Sequence, residues 1–233
     1  MKHKILYTYA GIATHLLVTD PKFLILMDTG DGIIRDLLEE EITFPVSTPV
    51  HIFFTHGHYD HCGGLFSFLG FLRMIGQEFP VNLYYPEGAT EIEGLINLFN
   101  SVYQDTMIFE FNITKLKPGS ELEIDGGVRI KAYQMKHGGS TFSHGLLPEI
   151  PALGYAILKN GKKMIAYTGD TGMNENLHEL VKDACHAYIE ATYPNTKQSM
   201  FHLSSKEASE LGKLAKKFTK IHPIKKIRKT KGK

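Results

Sequence analysis

Short runs of β-branched and aromatic residues alternate along the chain with stretches in which apolar residues recur every three or four positions, the pattern of an α/β protein. Residues 4–18 and 23–27 read as consecutive strands, with Asp20-Pro21 as the turn between them. Asp28-Thr29-Gly30-Asp31-Gly32 breaks the second strand, and Ile33, Ile34, Leu37 and Leu38 then recur at helical spacing. The run at 50–54 suits a buried strand that delivers the chain into a polar cluster beginning at Thr55. Further strands are predicted over 81–85, 109–116, 121–124, 128–135, 154–158, 163–167 and 187–190. Helices are predicted over 65–76, 91–103, 177–182 and 205–217, the last opened by Ser204-Ser205-Lys206-Glu207 with its Ser capping chemistry. No linker and no internal repeat interrupts this alternation.

A length of 233 residues with 42% hydrophobic and 22% charged composition fits one sizeable domain and excludes wholesale disorder, collagen and coiled coil. There is no apolar run long enough to span a bilayer, and Met1-Lys2-His3-Lys4 leads into only a short apolar run. A soluble, cytoplasmic protein without a membrane partner is therefore expected. Cys62 and Cys185 cannot build a disulfide framework, and neither lies in a CxxC pair, so a zinc ribbon and a thioredoxin-like site are excluded. The net charge of +1 is unevenly spread: residues 213–233 hold ten of the 26 basic residues and no acid, leaving the first 212 with 16 basic against 25 acidic, or −9. The basic tail, 223–233, is read either as a solvated terminus or as a segment that lies on phosphate backbones.

The chemistry is concentrated in His56-Gly57-His58-Tyr59-Asp60-His61, three imidazoles and a carboxylate within six residues. Imidazole and carboxylate suit Zn²⁺, Mn²⁺ or Fe²⁺. In an extended or turning segment His56 and His58 share a side while Asp60 and His61 diverge, so one loop can feed two metals. His137 and Asp170 each close a predicted strand, at the edge where open α/β sheets collect their sites. Cys62 is read as a small buried residue, and His3, His15, His51, His178 and His186 as satisfied or exposed histidines.

The HxHxDH pattern at His56, His58, Asp60 and His61 resembles the hallmark of the metallo-β-lactamase fold superfamily, and the resemblance spans nearly the whole chain. Asp28-Thr29-Gly30 looks like that family's acidic turn, His137 occupies its third-histidine position, and Gly169-Asp170-Thr171 is similar to its bridging aspartate. Within the superfamily the chain looks most like the tRNase Z-type phosphodiesterases. That narrower resemblance rests on Pro151-Ala152-Leu153-Gly154-Tyr155, on Ile189-Glu190-Ala191-Thr192-Tyr193, where Ile189 replaces a histidine, and on His202-Leu203-Ser204-Ser205 with Ala208. The 33 positions from His137 to Asp170 leave no room for the long arm with which bacterial tRNase Z enzymes grip tRNA, which favours a smaller substrate.

The resemblance implies an α/β fold, a four-layer αβ/βα sandwich of two mixed sheets flanked by helices, in a hydrolase domain over 1–222. It implies two divalent ions, zinc first and manganese or iron as alternatives. His56, His58 and His137 would hold one ion, Asp60, His61 and His222 the other, and Asp170 would bridge them. A metal-bridging hydroxide would attack a phosphodiester, in RNA or in a small nucleotide-like molecule. Asp60 would orient it, His202 would serve as general acid or transition-state stabiliser, and Glu190 would fix the tautomer of an imidazole. Against RNA stands the acidic body, which offers no evident cationic groove. The loop carrying His144, about residues 138–150, is read either as a substrate-facing lid or as a plain loop. A homodimer is implied by resemblance only. Two alternatives stay open: a thioester or lactone hydrolase of the same fold, and a non-catalytic metal-binding module.

Overall fold

In a computed structural model, which describes residues 1–40, 48–139, 148–195, 197 and 199–225, the chain folds into two six-stranded sheets packed face to face. The first sheet holds β1 (Lys2–Tyr9), β2 (Ala13–Asp20), β3 (Phe23–Met27), β4 (Val50–Phe53), β5 (Val81–Pro86) and β6 (Phe111–Leu116) in that order. Its first three strands are an antiparallel meander and β3 to β6 run parallel. The second sheet is built from β7 (Glu121–Ile124), β8 (Val128–Gln134), β11 (Leu153–Lys159), β12 (Lys162–Tyr167), β13 (His186–Glu190) and β14 (Phe218–Ile221). Its order is β14-β13-β12-β11-β8-β7, parallel from β12 to β14 and antiparallel elsewhere. A two-residue ribbon pairs β9 (His137–Gly138) with β10 (Glu149–Ile150).

Parallel strands need crossovers, and the crossovers here are the helices that cover the outer faces. Helices α1 (Ile33–Glu39), α3 (Leu65–Met74) and α4 (Thr90–Tyr103) lie on the first sheet, where Leu37, Phe68, Leu69, Ile92, Ile96 and Phe99 join one apolar cluster with Leu24, Leu26, Ile52 and Leu83. Helices α5 (Asn176–Val181) and α6 (Ser205–Gly212) cover the second through Leu177, Leu180, Ala208 and Leu211. Between the sheets, Phe23, Ile25 and Phe53 meet Ile130, Tyr155 and Ile157 in a third cluster. The result is helices, sheet, sheet, helices, the four-layer sandwich expected from the resemblance.

Two elements differ from the pattern-based expectation. Residues 4–18 are not one strand: β1 and β2 are separated by a turn in which Gly11 takes φ +66°, a conformation open to glycine. The helix expected over 205–217 stops at Gly212, and 218–221 form β14, which pairs with β13 from Ala187↔Phe218 to Glu190↔Ile221. Capping at its start is as expected, because Ser204 Oγ accepts from Glu207 N–H while the Glu207 carboxylate accepts from Ser204 N–H. His15 is fully buried on β2, 3.2 Å from the Asp36 carboxylate of α1. Burial pushes its pKa down to about 4, against the pull of Asp36 and Asp28. His144 and residues 226–233 of the tail lie outside the described residues.

Candidate metal centre

Every side chain at the centre is delivered by the C-terminal end of a strand. Asp28 follows β3, the loop Phe54-Thr55-His56-Gly57-His58 follows β4 and leads into the one-turn helix α2 (Tyr59–Cys62), and His137 follows β8. Asp170 follows β12, Glu190 ends β13, and His222 follows β14. The loop is seated by backbone bonds to the Asp28 turn, Thr29 N to His61 O at 2.7 Å and Gly64 N to Thr29 O at 2.8 Å. Gly30 is required there, since a Cβ on it would fall 2.2 Å from Asp60 O.

Asp28 organises the loop from below while fully buried. Its carboxylate accepts from Thr55 N (2.8 Å), Tyr167 Oη (2.8 Å) and His61 Nδ1 (2.9 Å). Holding a His61 proton on Nδ1 leaves Nε2 as the ring atom that would face a cation. His137 is treated likewise, Nδ1 donating to Phe201 O at 3.0 Å. Its Nε2 then stands 3.1 Å from His58 Nδ1. Burial lowers His56 well below the usual histidine range and His137 to about 4, so both are neutral, as a metal ligand must be.

Five residue groups among the described residues each bring their ligand atoms within 4.8 Å of one another: His56, His58 and His137; Asp60, His61 and His222; His56, His61 and Asp170; and two that include His202, with His137 and Asp170 and with Glu190 and His222. Asp170 lies between the first two. Its Oδ1 is 3.2 Å from His222 Nδ1 and 3.4 Å from His61 Nε2, while Oδ2 is 4.0 Å from His137 Nε2 and 3.9 Å from His202 Nδ1. His56 Nε2, His58 Nε2, His61 Nε2 and Asp170 Oδ1 are all buried without a hydrogen-bond partner. Buried polar atoms are normally satisfied, so four together form a cradle suited to a cation. The electrostatics agree. Burial lowers His61, but the carboxylates of Asp170 and Asp28 outweigh it and push its pKa well above 6.5, so the centre draws positive charge.

His222 reaches this centre with its backbone at φ +59°, one of four described non-glycine residues at positive φ; Asp28, at +61°, is another. Such backbone persists only where the surroundings over-determine it. His222 N–H donates to Thr8 Oγ1 at 2.7 Å, Pro223 O accepts from Ala10 N–H at 3.2 Å, and Nε2 lies 3.1 Å from Asp60 Oδ2. Asp60 also accepts from Gly11 N–H at 2.7 Å. Burial would raise the Asp60 pKa, but the bond to His222 and the His61 charge take it down to about 2.

Beside the cluster lies a second pair. His202 Nδ1 is 2.7 Å from Glu190 Oε1, and Leu203 N–H donates to Glu190 Oε2 at 2.5 Å. Burial raises Glu190 to about 6, and the pull of Glu190 and Asp170, exceeding the effect of burial, raises His202 above its ordinary value. The Thr192 hydroxyl sits between Glu190 Oε1 at 2.5 Å and His222 Nδ1 at 2.9 Å, joining this pair to the cluster. A cavity of about 380 Å³ opens over His58, Asp60, Asp170, His202 and His222. All nine residues singled out in the sequence are thus brought together. Cys62 is buried, its Sγ against Gly57 O at 3.2 Å. Thr8, Gly11 and Tyr167 were not foreseen, because they act through long-range contacts that leave no local signal.

Residues 24–222 match the family described as beta-lactamase superfamily domain. The chain belongs to the beta-lactamase superfamily. Its architecture is the metallo-β-lactamase fold: a metallo-β-lactamase fold protein of Bacillus subtilis superposes with a TM-score of 0.74 at 16% identity, covering 97% of this chain and 87% of that one. Human short-form tRNase Z superposes with a TM-score of 0.77 at 20% identity, covering 96% and 93%. In sequence, the ribonuclease Z of Myxococcus xanthus is 30% identical over 141 residues, 60% of this superfamily member. The match spans only 39% of that relative's length. Among the described residues, no helix is long and apolar enough to cross a membrane.

Proposed function

We propose that the chain is a binuclear metal-dependent phosphodiesterase. His56, His58 and His137 hold one cation, Asp60, His61 and His222 the other, and Asp170 lies between them. The observation that carries this reading is the set of four unpartnered buried atoms on His56, His58, His61 and Asp170, at the junction of the two ligand groups. Imidazole with carboxylate is a donor set for zinc first, with manganese or iron as alternatives. Two such cations, when bound, supply charge for the phosphoryl oxygens and lower the pKa of attacking water toward neutrality.

The chain's own residues supply orientation and a proton. Asp60, ionised and fixed by Gly11 N–H, orients the attacking water. His202 keeps one proton on Nδ1 toward Glu190, and its raised pKa lets Nε2 carry a second near neutral pH, to be given to the departing oxygen. Glu190, buried and ionised above about pH 6, holds the imidazole in that state. The relatives named ribonuclease Z and tRNase Z support an RNA phosphodiester as substrate. The charge of −9 over residues 1–212, and a cavity lining that holds no Lys or Arg among the described residues, favour a small diester or a short RNA end over a long polyanion.

The test is metal content of the purified protein, by elemental analysis, together with hydrolysis of bis(p-nitrophenyl) phosphate in Zn²⁺ or Mn²⁺ against a chelator-treated blank. Two metals per chain and metal-dependent turnover are expected. A protein that carries two metals but turns over no phosphodiester would overturn the phosphodiesterase reading in favour of thioester or lactone hydrolysis or a binding role.

A further inference from the structure

Tyr59 stands between His58 and Asp60 in the loop, yet it is 65% exposed. Its hydroxyl donates to Gly11 O at 2.7 Å, so the ring is pinned at the cavity mouth and does not sweep through solvent. Other tyrosines nearby are partnered through their rings. Tyr193 lies under Lys197 Nζ at 3.8 Å and Tyr7 meets Tyr9 at 5.4 Å, with Lys225 Nζ 4.9 Å from the Tyr9 ring. The Tyr59 ring has no aromatic or cationic partner among the described residues. Across the same cavity Ile224 is 53% exposed, so the rim offers an aromatic face and an aliphatic edge above a polar floor.

We infer that Tyr59 is a stacking platform for a nucleobase adjoining the scissile phosphate, which makes the substrate class nucleoside phosphodiesters; this rests on the phosphodiesterase reading. Among the described residues the lining has no Lys or Arg, and the aromatic and aliphatic rim is the part of it that can tell one diester from another. A fixed ring loses no rotamer freedom on binding, and every base presents a flat face to it. The opposing view, that Tyr59 only braces the loop through its hydroxyl bond to Gly11, makes a different prediction for Tyr59→Phe.

Metal-reconstituted wild type, Tyr59→Phe and Tyr59→Ala are compared on thymidine 5′-(p-nitrophenyl) phosphate and methyl p-nitrophenyl phosphate, which share a leaving group and differ in the base. Wild type should favour the thymidine ester. Tyr59→Ala should lower that preference roughly 5- to 100-fold, mainly through KM, and Tyr59→Phe, which keeps the stacking face but loses the hydroxyl anchor, should retain the larger part of it. Calorimetric titration with adenosine 5′-monophosphate against ribose 5-phosphate reads the platform without turnover, and the ratio of their Kd values should collapse in Tyr59→Ala. Equal losses on both esters, a loss of preference in Tyr59→Phe as large as in Tyr59→Ala, or equal Kd values in wild type would overturn the inference. A base-dependent Kd with no turnover of either ester would instead overturn the phosphodiesterase reading and leave the platform standing.

Discussion

β4 carries a histidine near each end, and the two are treated in opposite ways. His51, at the start, is buried with both ring nitrogens partnered, Nδ1 to Tyr84 Oη at 3.3 Å and Nε2 to Asp125 Oδ2 at 3.2 Å. His56, just past the other end, is buried with Nε2 unpartnered, beside His58, His61 and Asp170 in the same condition. Residue type and burial do not separate the two ends. What separates them is whether the polar atoms have been satisfied, because an unsatisfied buried group costs stability that a fold tolerates where function needs it.

The largest effect should come from the shared carboxylate. Asp170→Ala is expected to lose about a thousandfold in phosphodiester turnover and to bind fewer metals by elemental analysis, while His51→Asn stays within about threefold of wild type. Comparable losses in the two variants would erase the contrast between the strand ends. His202→Ala should lower kcat by about 10²- to 10³-fold with metal content retained, since its proton and not its ligation is lost. A drop in metal content would move His202 into the ligand set. Asp28→Asn removes the carboxylate that fixes His61 Nδ1 and should weaken metal binding by about 10- to 100-fold in a competition titration with a chelator. Unchanged affinity would show that the unpartnered Nε2 does not depend on this bond.

The smallest effect concerns stability. His15 is neutral in the folded state, with a pKa of about 4 among Asp36, Asp28 and His61, and ordinary when unfolded. Between about pH 4 and 6.5 the unfolded chain therefore binds more protons, so this contribution is complete above pH 6.5 and is lost as pH falls toward 4. Melting of His15→Gln should be flatter with pH across that window, by about 3 kcal/mol relative to wild type. A parallel pair of curves would contradict the assignment.

Much of this arrangement is legible in the sequence, for identifiable reasons. The motif residues are local, six positions on one loop, and His137 and Asp170 close strands whose apolar runs are plain. β14 was missed because Phe218-Thr219-Lys220-Ile221 is short and buries only Ile221 fully, so its pattern is weak against the preceding helical spacing. The turn between β1 and β2 has one glycine and no proline to mark it. Without that turn the sequence gives no sign that Thr8 and Gly11 brace His222 and Asp60, since those contacts cross 214 and 49 positions.

The clasp between Thr8 and His222 also sets an order of events in synthesis. A ribosome that has made residues 1–170 has already supplied His56, His58, His61 and His137, and the Asp60 carboxylate already has its Gly11 donor. The imidazole that faces that carboxylate is among the last of the described residues to be made, and it can be seated only when β14 slides in beside β13. Over the 52 positions from Asp170 to His222 a nascent chain thus holds every ligand of the site but one. Closure of the site cannot precede the synthesis of residue 222.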